Sequence, residues 1–202
     1  MSKQVFCFDW DGVIYNSLPI FWKIYNQKVS EINLVDFKRI VSDRVIGSRI
    51  IPGKLSDYES DFLKGEIFPE IKKLLKLVKE NNKTLIIIST SKSQTIKTIL
   101  AQNEMIFLVD EVYGSEYQYN KPNKGIWSEI KDRYSVKESD IIYVGDELVD
   151  SEFVKDTHID TIYVTYGFTD DDKFKNHLDA FNYEHMKCNS PKELNRKLSN
   201  YL

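Results

Sequence analysis

Asp9 and Asp11 stand two residues apart where an apolar run, Val5–Phe8, gives out. Side chains two apart in an extended chain share a face, so both carboxylates can meet one pocket. Gly145-Asp146-Glu147-Leu148-Val149-Asp150 repeats the pattern far along the chain, where the apolar run Ile141–Val144 again ends in acids. Carboxylates brought together repel, and a hard, oxygen-ligated cation is the physical remedy. Mg2+ suits a small carboxylate set that leaves waters and phosphate oxygens in its shell. Lys121, in Tyr119-Asn120-Lys121-Pro122-Asn123, supplies a counter-charge able to hold a phosphoryl oxygen and keep a carboxylate nucleophile ionised. Ser89-Thr90-Ser91 offers hydroxyls at the end of a third apolar run, Leu85–Ile88, where a small polar turn can both cap a helix and face a ligand. Lys121-Pro122 alone is equally a solvated surface turn, and its convergence with the other loop ends is what makes it part of a site. Glu147 alternates away from Asp146, and Trp10 away from its two acidic neighbours, so Trp10 is expected to pack beneath the loop. His158, His177 and His185 lack close ligand spacing and read as structural or surface residues.

The elements that must bring these loops together are legible in outline. Val5–Phe8, Leu85–Ile88, Ile106–Val109, Ile141–Val144 and Thr161–Val164 read as short buried strands, with a possible last strand near Tyr183–Met186. Gln94–Leu100 and Gly125–Tyr134 read as helices. Glu70–Glu80 sets Ile71, Leu74, Leu75 and Val78 on one face with lysines between them. Strands alternating with helices predict a three-layer α/β core with a mostly parallel sheet, whose ligand crevice lies at the carboxyl ends of the strands. About seventy residues separate the first two strands, far more than one crossover needs. An inserted, small helical cap is expected there, with pieces at Pro19–Asn26, Leu34–Val45 and Asp57–Lys64 interrupted by Ile51-Pro52-Gly53. Residues 1–14 and 83–202 then form the core and 15–82 the cap, with helix 70–80 leading back.

Composition limits the alternatives. The chain has 202 residues, 42% of them hydrophobic, with 28 Lys+Arg against 31 Asp+Glu for a net charge of −3. That suits a folded domain with a sizeable core, and it lacks the positive field that accompanies binding to polymeric nucleic acid. Cys7 and Cys188 make no disulfide framework, no apolar run is long enough to span a membrane, and the N-terminus has no secretory pattern, so a cytoplasmic protein is expected.

Four motifs in order, Phe8-Asp9-Trp10-Asp11-Gly12-Val13-Ile14, Ile88-Ser89, Lys121-Pro122 and Gly145-Asp146 followed by Asp150, resemble the haloacid dehalogenase-like (HAD) hydrolase superfamily, in its phosphatase and phosphomutase branch. The likeness runs from about Gln4 through Gly167, and the first motif is its specific part. The resemblance implies a Rossmann-like core with a helical cap after the first motif. It implies Asp9 as nucleophile, Asp11 as general acid and base that also lends its backbone carbonyl to Mg2+, and Asp146 and Asp150 completing the metal site. Ser89 and Lys121 would bind the transferring phosphoryl group, with Thr90 able to exchange roles with Ser89. Gly47-Ser48-Arg49 resembles a cap substrate loop, which makes Arg49 a candidate substrate contact beside the weaker Arg44, Lys54 and Tyr15.

The implied activity is Mg2+-dependent hydrolysis of a small phosphorylated metabolite through an aspartyl phosphate. A sugar phosphomutase using the same intermediate, a 5'-nucleotidase and a non-catalytic phosphate-ligand module are the alternatives. Dehalogenation fits poorly, because halide departure needs no acid at Asp11. A receiver-like signalling domain fits poorly too, because its phosphoacceptor follows a later strand. The sequence leaves substrate and oligomeric state open.

Overall fold

The computed structural model describes residues 2–42, 50–119, 121–178 and 186–202. Six strands form one sheet among the described residues: β1 (Val5–Phe8), β2 (Thr84–Ile88), β3 (Glu111–Tyr113), β4 (Ile141–Gly145), β5 (Asp160–Val164) and β6 (Lys187–Cys188). Their order is β3-β2-β1-β4-β5-β6, and every pairing is parallel. The central strands are apolar and buried along their length because helices cover both sheet faces. Phe6, Phe8, Leu85 and Ile87 face Ile71, Leu74 and Leu75 of α4 (Pro69–Glu80) and Ile96 and Ile99 of α5 (Ser93–Gln102). Val5, Cys7, Ile86 and Ile88 face Ile126, Trp127 and Ile130 of α6 (Gly125–Tyr134) and Phe153 of α7 (Leu148–Val154). Helices α8 (Asp171–His177) and α9 (Pro191–Leu198) follow β5 and β6. This is the Rossmann-like parallel sheet core expected from the alternation of runs.

Between β1 and β2 the chain leaves and returns side by side. Asn16 N donates to Glu66 O at 2.9 Å and Phe68 N to Ile14 O at 3.1 Å, while Tyr15 and Ile67 form an antiparallel bridge. The inserted segment carries α1 (Leu18–Lys28), α2 (Leu34–Ser42), a short 3-10 turn at Leu55–Tyr58 and α3 (Glu59–Phe62). Leu18, Phe37 and Val41 pack together with Phe168 from the loop after β5. That loop also accepts Lys38 Nζ at Thr165 O (2.6 Å), and its Asp170 N donates to Ser42 Oγ (2.8 Å). The insertion thus rests on the carboxyl edge of the sheet.

Two strand expectations change. Ile106–Leu108 is a 3-10 turn and the third strand is Glu111–Tyr113. The buried residues there, Met105 and Leu108, are three apart, whereas Phe107 is 72% exposed, which is the periodicity of a turn. The last strand is Lys187–Cys188; residues 183–185 of the expected Tyr183–Met186 strand lie outside the described residues.

Candidate active site

The register of β1 against its two neighbours assembles the site. Cys7 lies opposite Tyr143 and Phe8 opposite Val144, and Asp9 N extends the ladder by donating to Val144 O at 2.8 Å, so Asp9 emerges beside Gly145-Asp146. On its other side Phe8 pairs with Ile87, and β2 ends one residue later at Ile88. Three loops remote in sequence therefore surface together because parallel strands end on the same edge.

Lys121 Nζ reaches Asp9 Oδ2 at 2.7 Å and Asp150 Oδ1 at 2.8 Å. Asp9 Oδ1 accepts from Trp10 N at 2.6 Å. Asp150, in the first turn of α7, also accepts from Tyr143 OH at 2.6 Å on Oδ1 and from the N–H groups of Asp146 and Glu147, each at 2.9 Å, on Oδ2. Its oxygens are thus held by protein donors, which suits Asp150 to positioning Lys121 and the Asp146 turn. Asp146 Oδ2 accepts from Phe168 N at 2.6 Å, whereas its Oδ1 is buried with no hydrogen-bond donor.

A buried carboxylate oxygen without a donor is costly unless something charged satisfies it. One carboxylate oxygen from each of Asp9, Asp146 and Asp150 lies within 4.8 Å of the others. With all groups ionised, three carboxylates and one ammonium sum to −3 + 1 = −2. An all-oxygen donor set with that surplus fits a divalent cation of the hard class. Asp11 is not part of this side-chain cluster.

The space around Asp146 is shaped by missing side chains. A Cβ on Gly12, whose φ is +77°, would lie 2.2 Å from Asp146 Oδ2, and one on Gly167 would lie 2.1 Å from the same atom. Both glycines are required by close approach, and Gly12 also by its left-handed backbone.

The electrostatics follow from burial. Asp9 is 5% exposed and Asp146 not at all. Burial pushes the Asp9 carboxyl up to about 7, against the opposing pull of Lys121. Burial and the neighbouring Asp9 and Asp150 hold Asp146 well above the usual carboxylate range. Burial alone would depress the Lys121 ammonium, but Asp150 and Asp9 outweigh it and hold it above its ordinary value.

A cavity of about 440 Å³ opens beside Asp9 and Asp11. Thr90 and Ser91 line it, whereas Ser89 is buried and its Oγ accepts from Ser91 N at 3.0 Å. Of the two hydroxyls weighed for the phosphoryl group, Thr90 thus lies at the cavity surface and Ser89 beneath the turn. Ser91, which nothing in the sequence distinguishes from its two neighbours, donates from Oγ to Asp11 Oδ2 at 2.6 Å. Glu147, expected to alternate away from the site, lines the cavity, whereas Asp146 is fully buried beside it. Trp10 is buried as expected and stacks on Tyr15 with centroids 5.3 Å apart, although both border the cavity. Lys54 lines the rim, and the Tyr15 hydroxyl is committed to Phe62 O. Arg44 and Arg49 lie outside the described residues. His158 is exposed, His177 faces Glu152 at 3.5 Å, and His185 lies outside the described residues. Among the described residues no helix is long and apolar enough to cross a membrane.

Comparison with known proteins places this arrangement. A phosphoglycolate phosphatase of Vibrio vulnificus (strain YJ016) is 22% identical over 193 residues, covering 82% of this chain and 85% of its own. Among solved structures, a predicted phosphoglycolate phosphatase from Haemophilus somnus 129PT superposes with a TM-score of 0.74 at 14% identity, over 97% of this chain and 98% of its own. A haloacid dehalogenase-like family hydrolase from Streptococcus pneumoniae does so with 0.69 at 17% identity, over 99% of each chain. At these identities the structures share the fold. Residues 6–164, which span the sheet from β1 to β5 and carry all four charged members of the cluster, match the model of the haloacid dehalogenase-like hydrolases, and the chain belongs to that family.

Proposed function

We propose that the protein is a Mg2+-dependent phosphoric monoester hydrolase acting on a small phosphorylated metabolite. The observation that carries this is the buried Asp9–Lys121–Asp150–Asp146 cluster, short of positive charge and carrying a donorless carboxylate oxygen on Asp146, whose member Asp9 lines a ligand-sized cavity. Asp9 and Asp146 are the residues suited to hold the ion, with Asp150 bracing them and the Asp11 carbonyl as the further ligand that the family resemblance implies. When bound, Mg2+ offsets charge on the phosphoryl oxygens.

In this mechanism a carboxylate oxygen of Asp9 attacks phosphorus in line, the ester P–O bond breaks, and Asp11 gives its proton to the departing oxygen. Asp11 then takes a proton from a water that attacks the aspartyl phosphate, which releases inorganic phosphate and restores Asp9. Lys121 holds a nonbridging oxygen while its contact with Asp150 fixes its position. Thr90 supplies the hydroxyl at the cavity surface, with Ser89 beneath it. Ser91 keeps the Asp11 carboxyl turned toward the cavity. The inserted helices exclude bulk water from the reacting phosphorus. Core 1–14 with 83–202 and cap 15–82 remain the division that this mechanism uses, and two buried thiols, Cys7 and Cys188, suit a cytoplasmic setting.

The test is a phosphate-release screen over sugar phosphates, phosphoglycolate and mononucleotides, with Mg2+ or EDTA. Release that needs Mg2+ and is abolished by Asp9→Asn is expected. Release that survives Asp9→Asn, or no release from any ester, refutes the proposal, and mass-spectrometric detection of an isomerised phosphate would reassign the enzyme as a mutase.

A further inference from the structure

Beyond the reacting acids, the cavity has an apolar wall drawn from both parts of the chain. Phe21 of α1 and Phe62 of α3 meet edge to face with centroids 4.9 Å apart, and Phe168, from the loop after β5, meets Phe21 edge to face at 5.4 Å. All three line the cavity, and Ile50, Ile51 and Ile99 extend the same wall. The charged side chains lining it away from the acid cluster, Lys54, Glu59 and Lys92, are exposed and so belong to its rim. A leaving group seated here gains from covering carbon, and polar groups at the edge serve only to orient it. A two-carbon acid would bury none of the rings and would set its charge against them. A ring, or an apolar body of similar size, fills the wall.

We infer that this site, taken as the phosphomonoesterase proposed above, selects esters whose leaving group carries an aromatic ring or an apolar face of comparable size. It disfavours small acidic leaving groups such as glycolate. Phe62 and Phe21 are then specificity-determining residues, because they present the cap side of the wall.

Binding tests this independently of turnover. The full-length protein with Mg2+ is titrated calorimetrically with two non-hydrolysable phosphonates, 3-phenylpropylphosphonate and 3-phosphonopropionate, which mimic 2-phenylethyl phosphate and phosphoglycolate. The aromatic phosphonate is expected to bind at least tenfold tighter, and Phe62→Ser is expected to cut that ratio at least threefold. Equal affinities, or tighter binding of 3-phosphonopropionate, would overturn the inference on the wild-type protein alone, whatever the variant does to folding. Phosphate release from the two parent esters is measured alongside. If the aromatic preference holds in binding but neither these two esters nor any ester of the screen is hydrolysed, the hydrolase reading fails and the selectivity of the cavity stands.

Discussion

Replacing Asp9 should make the metal-free protein more stable, and by an amount that depends on pH. Asp9 has a folded pKa raised to about 7 from 3.8. Below the lower value the carboxyl is neutral in both states. As pH rises toward the upper value the unfolded chain releases a proton that the folded chain keeps, so stability is lost across that window and stays low above it. Asp9→Asn removes this titration while keeping the shape of the neutral acid. Its advantage over wild type should therefore shrink between pH 8 and pH 5 by the two units from 7 to 5, about 3 kcal/mol at ~1.4 kcal/mol per unit. For a chain of this size that is a change of about 6–12 °C in the gap between melting temperatures. The assay is thermal unfolding in EDTA at both pH values. Mg2+ at a hundred times its dissociation constant should then raise wild type at pH 8 by about 3 kcal/mol and the variant far less. A gap that stays constant from pH 5 to pH 8, or equal stabilisation of both proteins by Mg2+, would refute the assignment of Asp9 to a buried, cation-deficient cluster.

Three further outcomes follow from particular contacts. Lys121→Met leaves Asp9 and Asp150 buried without their shared cation, so chemical denaturation should show a loss of about 3–5 kcal/mol at pH 8, with phosphate release abolished. Gly12→Ala forces a left-handed backbone on a residue with a side chain and drives its Cβ into Asp146. A melting-temperature loss equivalent to about 2 kcal/mol or more, with weakened Mg2+ binding by calorimetry, is expected. Ser91→Ala removes the hydroxyl that donates to Asp11 Oδ2, so kcat should fall about tenfold for alkyl phosphates, whose leaving oxygen needs the proton, and much less for nitrophenyl phosphate; an unchanged alkyl-to-aryl ratio would deny Ser91 that role.

What the sequence disclosed and what it hid divide along a physical line. The convergence of Asp9 with Asp146 and Asp150 was legible because strand ends in a parallel sheet share an edge, and an apolar run that stops at an acid marks such an end without knowledge of the neighbours; Lys121 follows no such run and was legible only as the counter-charge the acids need. The run Ile106–Val109 misled for the converse reason: four apolar residues fit a strand or a turn equally, and only the burial of Met105 and Leu108 three apart decides between them. Ser89, Thr90 and Ser91 show the limit within a loop. Their chemistry is nearly interchangeable, and which hydroxyl meets the cavity is set by the local turn, where Ser89 Oγ holds Ser91 N and Ser115 N holds Ser91 O at 2.9 Å. That last bond comes from beyond β3, a strand whose position the sequence misplaced, so the role of Ser91 could not have been read before the sheet was known. The same holds for the apolar cavity wall. Phe21, Phe62 and Phe168 are unremarkable core aromatics in sequence, and they become a surface for a leaving group only because the insertion and the β5 loop close over the same strand edge that carries the acids.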